Sequence, residues 1–478
     1  MNHFSKSKPK ADQEAQQATT ASTKPGPTEL APANEFIVES AVIRTELPLD
    51  LDTREDLHSA NGQFKGGFCR KQLLKRLDRL DQASVNLIEL HEGQISARQI
   101  GSSDDAALRA SVVVSDQDFF KRILFGGTIG SAESYIDGQW ACDDLTTLIR
   151  IMIRNLDRFK KLEEGVAWIK NAHHRLRHRS RRNSIDGSRK NIRDHYDLGN
   201  DFYQLFLDPT LSYSSGIFSS LLPFRPSENA MSVMESASLE KMNSVCRKLQ
   251  LSPKDHVLEI GTGWGGLAIH MAKHFGCRVT TTTISREQYA KAIDRVGSEG
   301  LSGQVEVLYQ DYRELTGKFN KLVSIEMIEA VGHQYYDEFF SRCSELLTQD
   351  GAMLLQAITI GEQDFDYHKN HVDFIRKYVF PGGCLPSVAA LSQSVGRVTN
   401  MRMLHQQDIT PHYVKTLQHW RFEFMNKLDK VKSLGYDDAF IRLWHFYLCY
   451  CEAAYAERRV HNVHLIYGKP ESDLDLVY

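Results

Sequence analysis

The segment Glu259-Ile-Gly261-Thr-Gly263-Trp-Gly265-Gly266 carries the sharpest chemical signal in the chain. Gly261, Gly263 and Gly266 satisfy the G-x-G-x-x-G fingerprint, in which glycine lets the backbone approach a nucleotide closely. A nicotinamide dinucleotide is disfavoured. Its sites place an acid roughly 20 residues further on to hold the ribose hydroxyls, and here that position falls in Thr280-Thr281-Thr282-Thr283. Glu259 lies two residues before the first glycine and the glycines alternate as G-x-G-x-G, a loop that would also allow close backbone approach to a cofactor with no pyrophosphate. A second candidate is Glu329, just after an apolar strand, in Met327-Ile328-Glu329-Ala330-Val331. Burial raises the pKa of such a carboxyl and hydrogen bonds to it oppose the rise, which suits a proton-transfer role.

These residues need a scaffold. The loop is expected to follow a strand at 255–260 and open a helix at 267–274. Further strands are expected at 278–283, 305–309, 321–326 and 352–358, with helices from Arg286 and over 334–347. Strands alternating with helices imply a parallel sheet. Upstream, 84–90 and 108–114 read as strands, 116–125 as a helix ending at Gly126-Gly127, and 145–156 as a helix with Leu148, Ile151, Met152 and Leu156 at helical spacing. The chain therefore divides into a disordered tail at 1–35, a small α+β domain at 36–165, a linker at 166–193 and an α/β domain at 194–478. The tail has almost no large apolar residues and cannot offset the entropy of ordering.

With 478 residues, 41% hydrophobic and 25% charged, the chain has the material for two or three packed domains. No apolar run approaches the roughly 18 residues that span a bilayer, and the N-terminus lacks the apolar stretch of a secretory signal. The eight cysteines are scattered without a C-x-x-C pair, so reduced thiols, no metal and a cytoplasmic location are expected. The formal charge of −3 conceals a basic run at 168–193, with nine Lys/Arg against one acid, Asp186. A solvated linker and a patch for anionic lipid head groups are the two readings of that run. No interleaved stacking aromatics favour nucleic acid.

The glycine loop resembles that of S-adenosylmethionine methyltransferases. In that reading Thr282, Thr283 and Gln288 face the ribose, and Asp311 and Tyr312 offer a carboxylate and a ring to adenine. The segments 195–218 (HYDLGNDFYQLFLDPTLSYSSGIF), 324–333 (SIEMIEAVGH), 374–386 (FIRKYVFPGGCLP), 411–420 (PHYVKTLQHW) and 446–451 (FYLCYC) resemble, in order, the cyclopropane-fatty-acyl-phospholipid and mycolic acid cyclopropane synthases. The stretch 120–138 looks like that family's N-terminal lipid-associated domain. The resemblance implies a Rossmann-like class I methyltransferase domain with a helical cap, preceded by a small α+β lipid-associated domain. It implies methylene transfer to the cis double bond of an unsaturated phospholipid acyl chain, through a carbocation that is then deprotonated.

It implies cofactor contacts at Tyr213, Ser214, Gly261, Gly263, Thr283, Gln288 and Tyr312, with Gly265 of the same loop beside them, and catalytic roles for Glu329, Tyr413 and Cys451, with Gln356 a further catalytic candidate. It also implies a bicarbonate held by Ser215, Glu329, Gln356, Ile358 and Tyr413. Ser215 and Gln356 stand where the family often has Cys and His. Gln356 can donate a hydrogen bond but cannot carry a proton as His does, which leaves the bicarbonate and the end product open. A methyl- or methylene-branched chain is the nearest alternative, and a non-catalytic lipid-binding relict is another. The implied partner is the phospholipid bilayer surface, with peripheral association at the inner membrane face. A homodimer is left open. Aromatic faces that would steady a cation are expected among Tyr378, Phe380, Trp420, Phe422, Phe424, Phe446, Tyr447 and Tyr450.

Overall fold

The structure, a computed structural model, describes residues 67–78, 80–101, 107–156, 198–227 and 229–475. All of them belong to one compact unit spanning 41–478. The expected tail at 1–35 and the basic linker at 166–193 lie outside the described residues.

Two sheets organise the molecule. The smaller has the order β2-β1-β3-β4. In it, β1 (Ala83–His91) pairs antiparallel with β2 (Gln94–Gly101) and parallel with β3 (Leu108–Val114), and β4 (Trp140–Cys142) closes the other edge. β2 is absent from the sequence expectation because its exposed QISARQIG run is too polar to signal a strand. The helix expected to end at the glycine pair runs instead over Asp118–Ile136, with a break at Gly127 (φ 55). Glycine alone takes that conformation without a Cβ penalty, so the second half sets off in a new direction. The amphipathic helix Leu145–Arg154 buries Leu145, Leu148 and Ile151, and the Asp144 carboxylate caps it by accepting from Thr147 N.

The larger sheet has the order β10-β11-β9-β8-β5-β6-β7. Strands β5 (His256–Ile260), β6 (Arg278–Thr283), β7 (Val305–Tyr309), β8 (Phe319–Ile325) and β9 (Leu347–Ile360) are parallel, as expected. β10 (Arg402–Asp408) and β11 (Val460–Gly468) add an antiparallel edge, so the sheet is mixed. The helices Thr410–Met425 and Asp438–Ala456 cover the carboxyl ends of the strands. They are the helical cap the resemblance implies.

The cap also joins the two sheets. One apolar core runs from Val85, Leu87 and Val112 of the small sheet through Phe120, Tyr135 and Ile151 to Trp420, Trp444 and Phe446 of the cap. Polar contacts fix the join. Tyr135 Oη lies 3.0 Å from His445 Nδ1, Thr146 Oγ1 donates to Glu452 at 3.2 Å, and Arg150 and Arg154 each donate to Glu457 at 2.7 Å.

Candidate active site

The glycine loop sits where β5 gives way to the helix Gly266–Phe275, beside the point where strand order reverses between β5 and β8. Ligands of open α/β sheets bind in that crevice. Gly261 (φ 105), Gly263 (φ 53) and Gly265 (φ 83) all adopt backbone that other residues enter only with strain. Gly266 has a different reason: a Cβ there would stand 2.6 Å from the Thr210 carbonyl oxygen. Trp264 ties the loop to the entry segment by donating from Nε1 to Asn200 at 2.7 Å.

Around the loop one cavity of about 1400 Å³ is lined by Tyr213, Ser214, Gly261, Gly263, Thr282, Thr283, Gln288, Asp311 and Tyr312. Gly265 shapes the turn from behind, packed against Ala292. The Thr283 hydroxyl donates to Gln288 Oε1 at 3.0 Å, which leaves Nε2 as that amide's donor. The Tyr312 ring is held edge-on by Phe339, with centroids 5.4 Å apart. These groups fit a nucleoside cofactor: close backbone, an amide donor and an aromatic face.

Two expected contacts differ. The Thr282 hydroxyl is spent on the backbone carbonyl of Gln310. Both oxygens of Asp311 are taken by Arg313, at 2.8 Å from Nε and 2.7 Å from Nη2. The fork of the guanidinium makes this pairing bidentate. Sequence reasoning also missed Lys241. It reaches the cavity from the helix Ala230–Lys248, and its Nζ donates to Ser214 Oγ at 3.1 Å. Burial pulls its pKa down, while Glu326, Asp208 and Glu259 oppose that. Glu259 is buried against the Thr281 hydroxyl at 2.5 Å and is pushed up to about 8 by desolvation.

The largest departure is at the other end of the site. Tyr413, Gln356 and the Ser215 amide were expected to gather around a bicarbonate or around Glu329. They gather around Glu326. Ser215 N donates to Glu326 Oε1 at 3.1 Å, Gln356 Nε2 at 2.8 Å and Asn462 Nδ2 at 2.5 Å; Tyr413 Oη donates to Oε2 at 2.7 Å. Glu329 accepts instead from Ile358 N at 2.5 Å, and its Oε2 is buried without a partner among the described residues. Burial pushes Glu329 up to about 8, and the neighbouring Glu326 adds to the rise. Burial raises Glu326 as well, and its four hydrogen bonds oppose that rise without cancelling it. Every donor expected to hold a free bicarbonate is therefore already spent on a glutamate, and these residues do not fit one. Glu326 stands at the end of the segment read as a strand. Its left-handed backbone (φ 48), which turns it back into the site, leaves no mark in the sequence.

Cys451 lines the cavity, but burial raises its thiol far from the thiolate range. Of the expected aromatics, Phe380, Phe446, Tyr447 and Tyr450 line the cavity. Trp420 and Phe424 are core, Phe422 packs on Phe224, and Tyr378 donates to Glu133 at 2.5 Å. Tyr455, missed from sequence, also lines the cavity and stacks on Tyr413 with centroids 4.4 Å apart.

A mixed seven-stranded sheet with this loop at its switch point defines the class: the chain is an S-adenosylmethionine-dependent methyltransferase of Rossmann-like fold. The family model for mycolic acid cyclopropane synthetase matches residues 183–465, and the chain belongs to that family. It is 35% identical over 335 residues to the tuberculostearic acid methyltransferase of Mycobacterium tuberculosis, covering 70% of this chain and 77% of that one. It is 34% identical over 376 residues to the cyclopropane-fatty-acyl-phospholipid synthase of Escherichia coli, covering 77% and 90%. Among solved structures, the mycolic acid cyclopropane synthase CmaA1 complexed with SAH and CTAB matches at TM-score 0.53 and 26% identity, over 59% of this chain and 98% of that one.

Proposed function

We propose that the protein transfers a methylene group from S-adenosylmethionine to the cis double bond of an unsaturated phospholipid acyl chain, closing a cyclopropane ring. The carrying observation is the continuity of the cavity. It runs from the glycine loop past Phe446 and Tyr450 to Val85, Leu87, Ile100 and Val112 of the small sheet and Ile123, Ile149 and Met152 of its helices. Small-molecule sites are about 300–1,000 Å³. A longer apolar passage suits an acyl chain, whose mid-chain double bond lies deep in a hydrocarbon core about 30 Å thick and must be drawn out of it.

S-adenosylmethionine, when bound, supplies an electrophilic methyl group on sulfonium. Tyr213, Ser214, Gly261, Gly263, Gln288 and Tyr312 would hold it. An alkene is a weak nucleophile, so alignment must lower the barrier, and well-oriented reactions gain roughly 7–11 kcal/mol that way. The apolar walls exclude water, which would trap a carbocation as an alcohol. The ring faces of Phe446, Tyr447, Tyr450 and Tyr455 each steady a positive charge by about 0.5–2 kcal/mol.

A second reading ends in a methyl- or methylene-branched chain formed from the same cation by loss of a different proton. The 35% identity to a protein named as a methyltransferase supports it. In both readings the enzyme works peripherally at a bilayer surface on the cytoplasmic side. Among the described residues no helix is long and apolar enough to cross a membrane, and the basic run at 168–193 supplies charge for anionic head groups. Expression in a host without such lipids, followed by mass spectrometry of the acyl chains, tests the proposal. Chains one CH2 heavier that have lost their double bond support cyclopropanation. Heavier chains that keep it support branching. Unchanged chains overturn both.

A further inference from the structure

We propose that the Glu326 carboxylate is the catalytic base of this enzyme, a built-in anion standing where the family resemblance implies a bicarbonate. The inference rests on the methylene-transfer reading above and adds the group that removes the proton.

Four separate elements aim a donor at this one side chain. The entry segment gives Ser215 N, β9 gives Gln356, β11 gives Asn462 and the helix Thr410–Met425 gives Tyr413. Donors that bond the charged form favour it. The four donors favour the Glu326 anion against the rise that burial imposes, while burial and the neighbouring Glu326 push Glu329, which accepts from Ile358 N, up to about 8. The amide of Gln356 is oriented from behind. Its Oε1 lies 2.9 Å from His464 Nε2, and His464 Nδ1 lies 2.5 Å from Lys248 Nζ. The Lys248 ammonium only donates, so Nδ1 accepts and Nε2 carries the hydrogen that fixes Gln356. Burial holds His464 neutral, as this arrangement requires.

The uneven split of the donors leaves room for one proton. A carboxylate has about four lone-pair sites, two on each oxygen. Three donors crowd Oε1, while Oε2 accepts, among the described residues, from the Tyr413 hydroxyl alone and keeps its second lone pair. Glu326 and Tyr413 both line the cavity that holds the glycine loop and the apolar passage. The strained backbone at Glu326 (φ 48) is what turns the side chain back onto Gln356, whose carbonyl accepts from Glu326 N at 2.8 Å. Strain of this kind is retained where function fixes it.

The step balances without a further reagent. The alkene π pair forms a bond to the transferred carbon as its bond to sulfur breaks, and the sulfur leaves as a neutral thioether. The adjacent substrate carbon is left cationic. A C–H bond of the transferred carbon then breaks. Its electron pair closes the ring, and the proton passes to Glu326 Oε2 and from there to solvent.

The test uses the full chain, S-adenosylmethionine and vesicles of oleoyl phosphatidylethanolamine and phosphatidylglycerol. Wild type, Glu326→Gln and Glu326→Gly are compared in argon-purged buffer and with added sodium bicarbonate or formate. The expected result is that wild-type turnover ignores bicarbonate and E326Q loses roughly 100-fold or more, the range of a general base. E326G, whose glycine suits φ 48, should regain activity with added bicarbonate or formate. A wild type that stalls without bicarbonate, or an E326Q within threefold of wild type, overturns the proposal. Should E326G not fold, the other two proteins decide the matter. A turnover-free arm separates this inference from the substrate reading: bicarbonate should raise the melting midpoint of E326G but not that of wild type. If no vesicle is turned over, the substrate reading fails, and this arm still supports the built-in anion or, should wild type gain stability from bicarbonate, overturns it.

Discussion

Glu259 and Glu329 are both pushed up to about 8 by burial, and that carries a stability consequence. In the unfolded chain each titrates near 4.3, so below that pH folded and unfolded forms bind the same protons. Between about 4.3 and 8 the folded form binds more, and stability falls as pH rises through that window. Each group contributes a loss of several kcal/mol by pH 8.5 or so. Urea unfolding at about pH 6 and pH 8.5 should show this slope, and Glu329→Gln should remove about half of these two groups' share. An unchanged slope in E329Q would mean that Glu329 is already ionised at neutral pH. At this scale the sequence was a partial guide. The site's members Tyr413, Gln356, Ser215 and Glu329 were all legible as site residues. Which carboxylate they serve was not, because a single left-handed residue, Glu326, decides it.

At the scale of elements, period and composition were sufficient where burial is one-sided or complete. The β5–loop–helix unit, the parallel strands β6 to β9 and the helix at Leu145–Arg154 carry clear apolar patterns, and all are present. The elements missed include the helices Ala230–Lys248, Thr410–Met425 and Asp438–Ala456 and strands whose residues do not alternate cleanly. β2 and β10 are half-exposed edge strands. β11 had no expected element, and it is defined by its antiparallel pairing with β9. The small sheet's helices have a functional consequence. Met152 projects from the helix Leu145–Arg154 into the apolar passage. Met152→Trp should obstruct it, lowering turnover of long-chain vesicle lipid by roughly tenfold or more at an overpacking cost of about 1–3 kcal/mol. S-adenosylmethionine binding by calorimetric titration should be unchanged. Equal turnover in the variant would place the acyl chain elsewhere.

Across the whole molecule, the cap helix Asp438–Ala456 binds the two sheets into one core through Tyr135, Ile151, Trp444 and Phe446. The described residues should therefore melt in one calorimetric transition. Glu457→Gln, which takes the charge from the partner of Arg150 and Arg154, should lower its midpoint without splitting it. Two separated transitions would mean that the small sheet is an independent body. The near-neutral sum of charges says little about such a molecule. The basic run at 168–193 sits between residues of the small sheet's helices and the entry segment of the large one. The most direct measurement supplies the purified protein with S-adenosylmethionine bearing a CD3 group and with oleoyl phospholipid vesicles, then reads the acyl chains by mass spectrometry. The account predicts chains that have gained CD2, lost their double bond and released one deuteron to solvent. Acyl chains free of deuterium, in a protein that binds the cofactor and the vesicles, would contradict it.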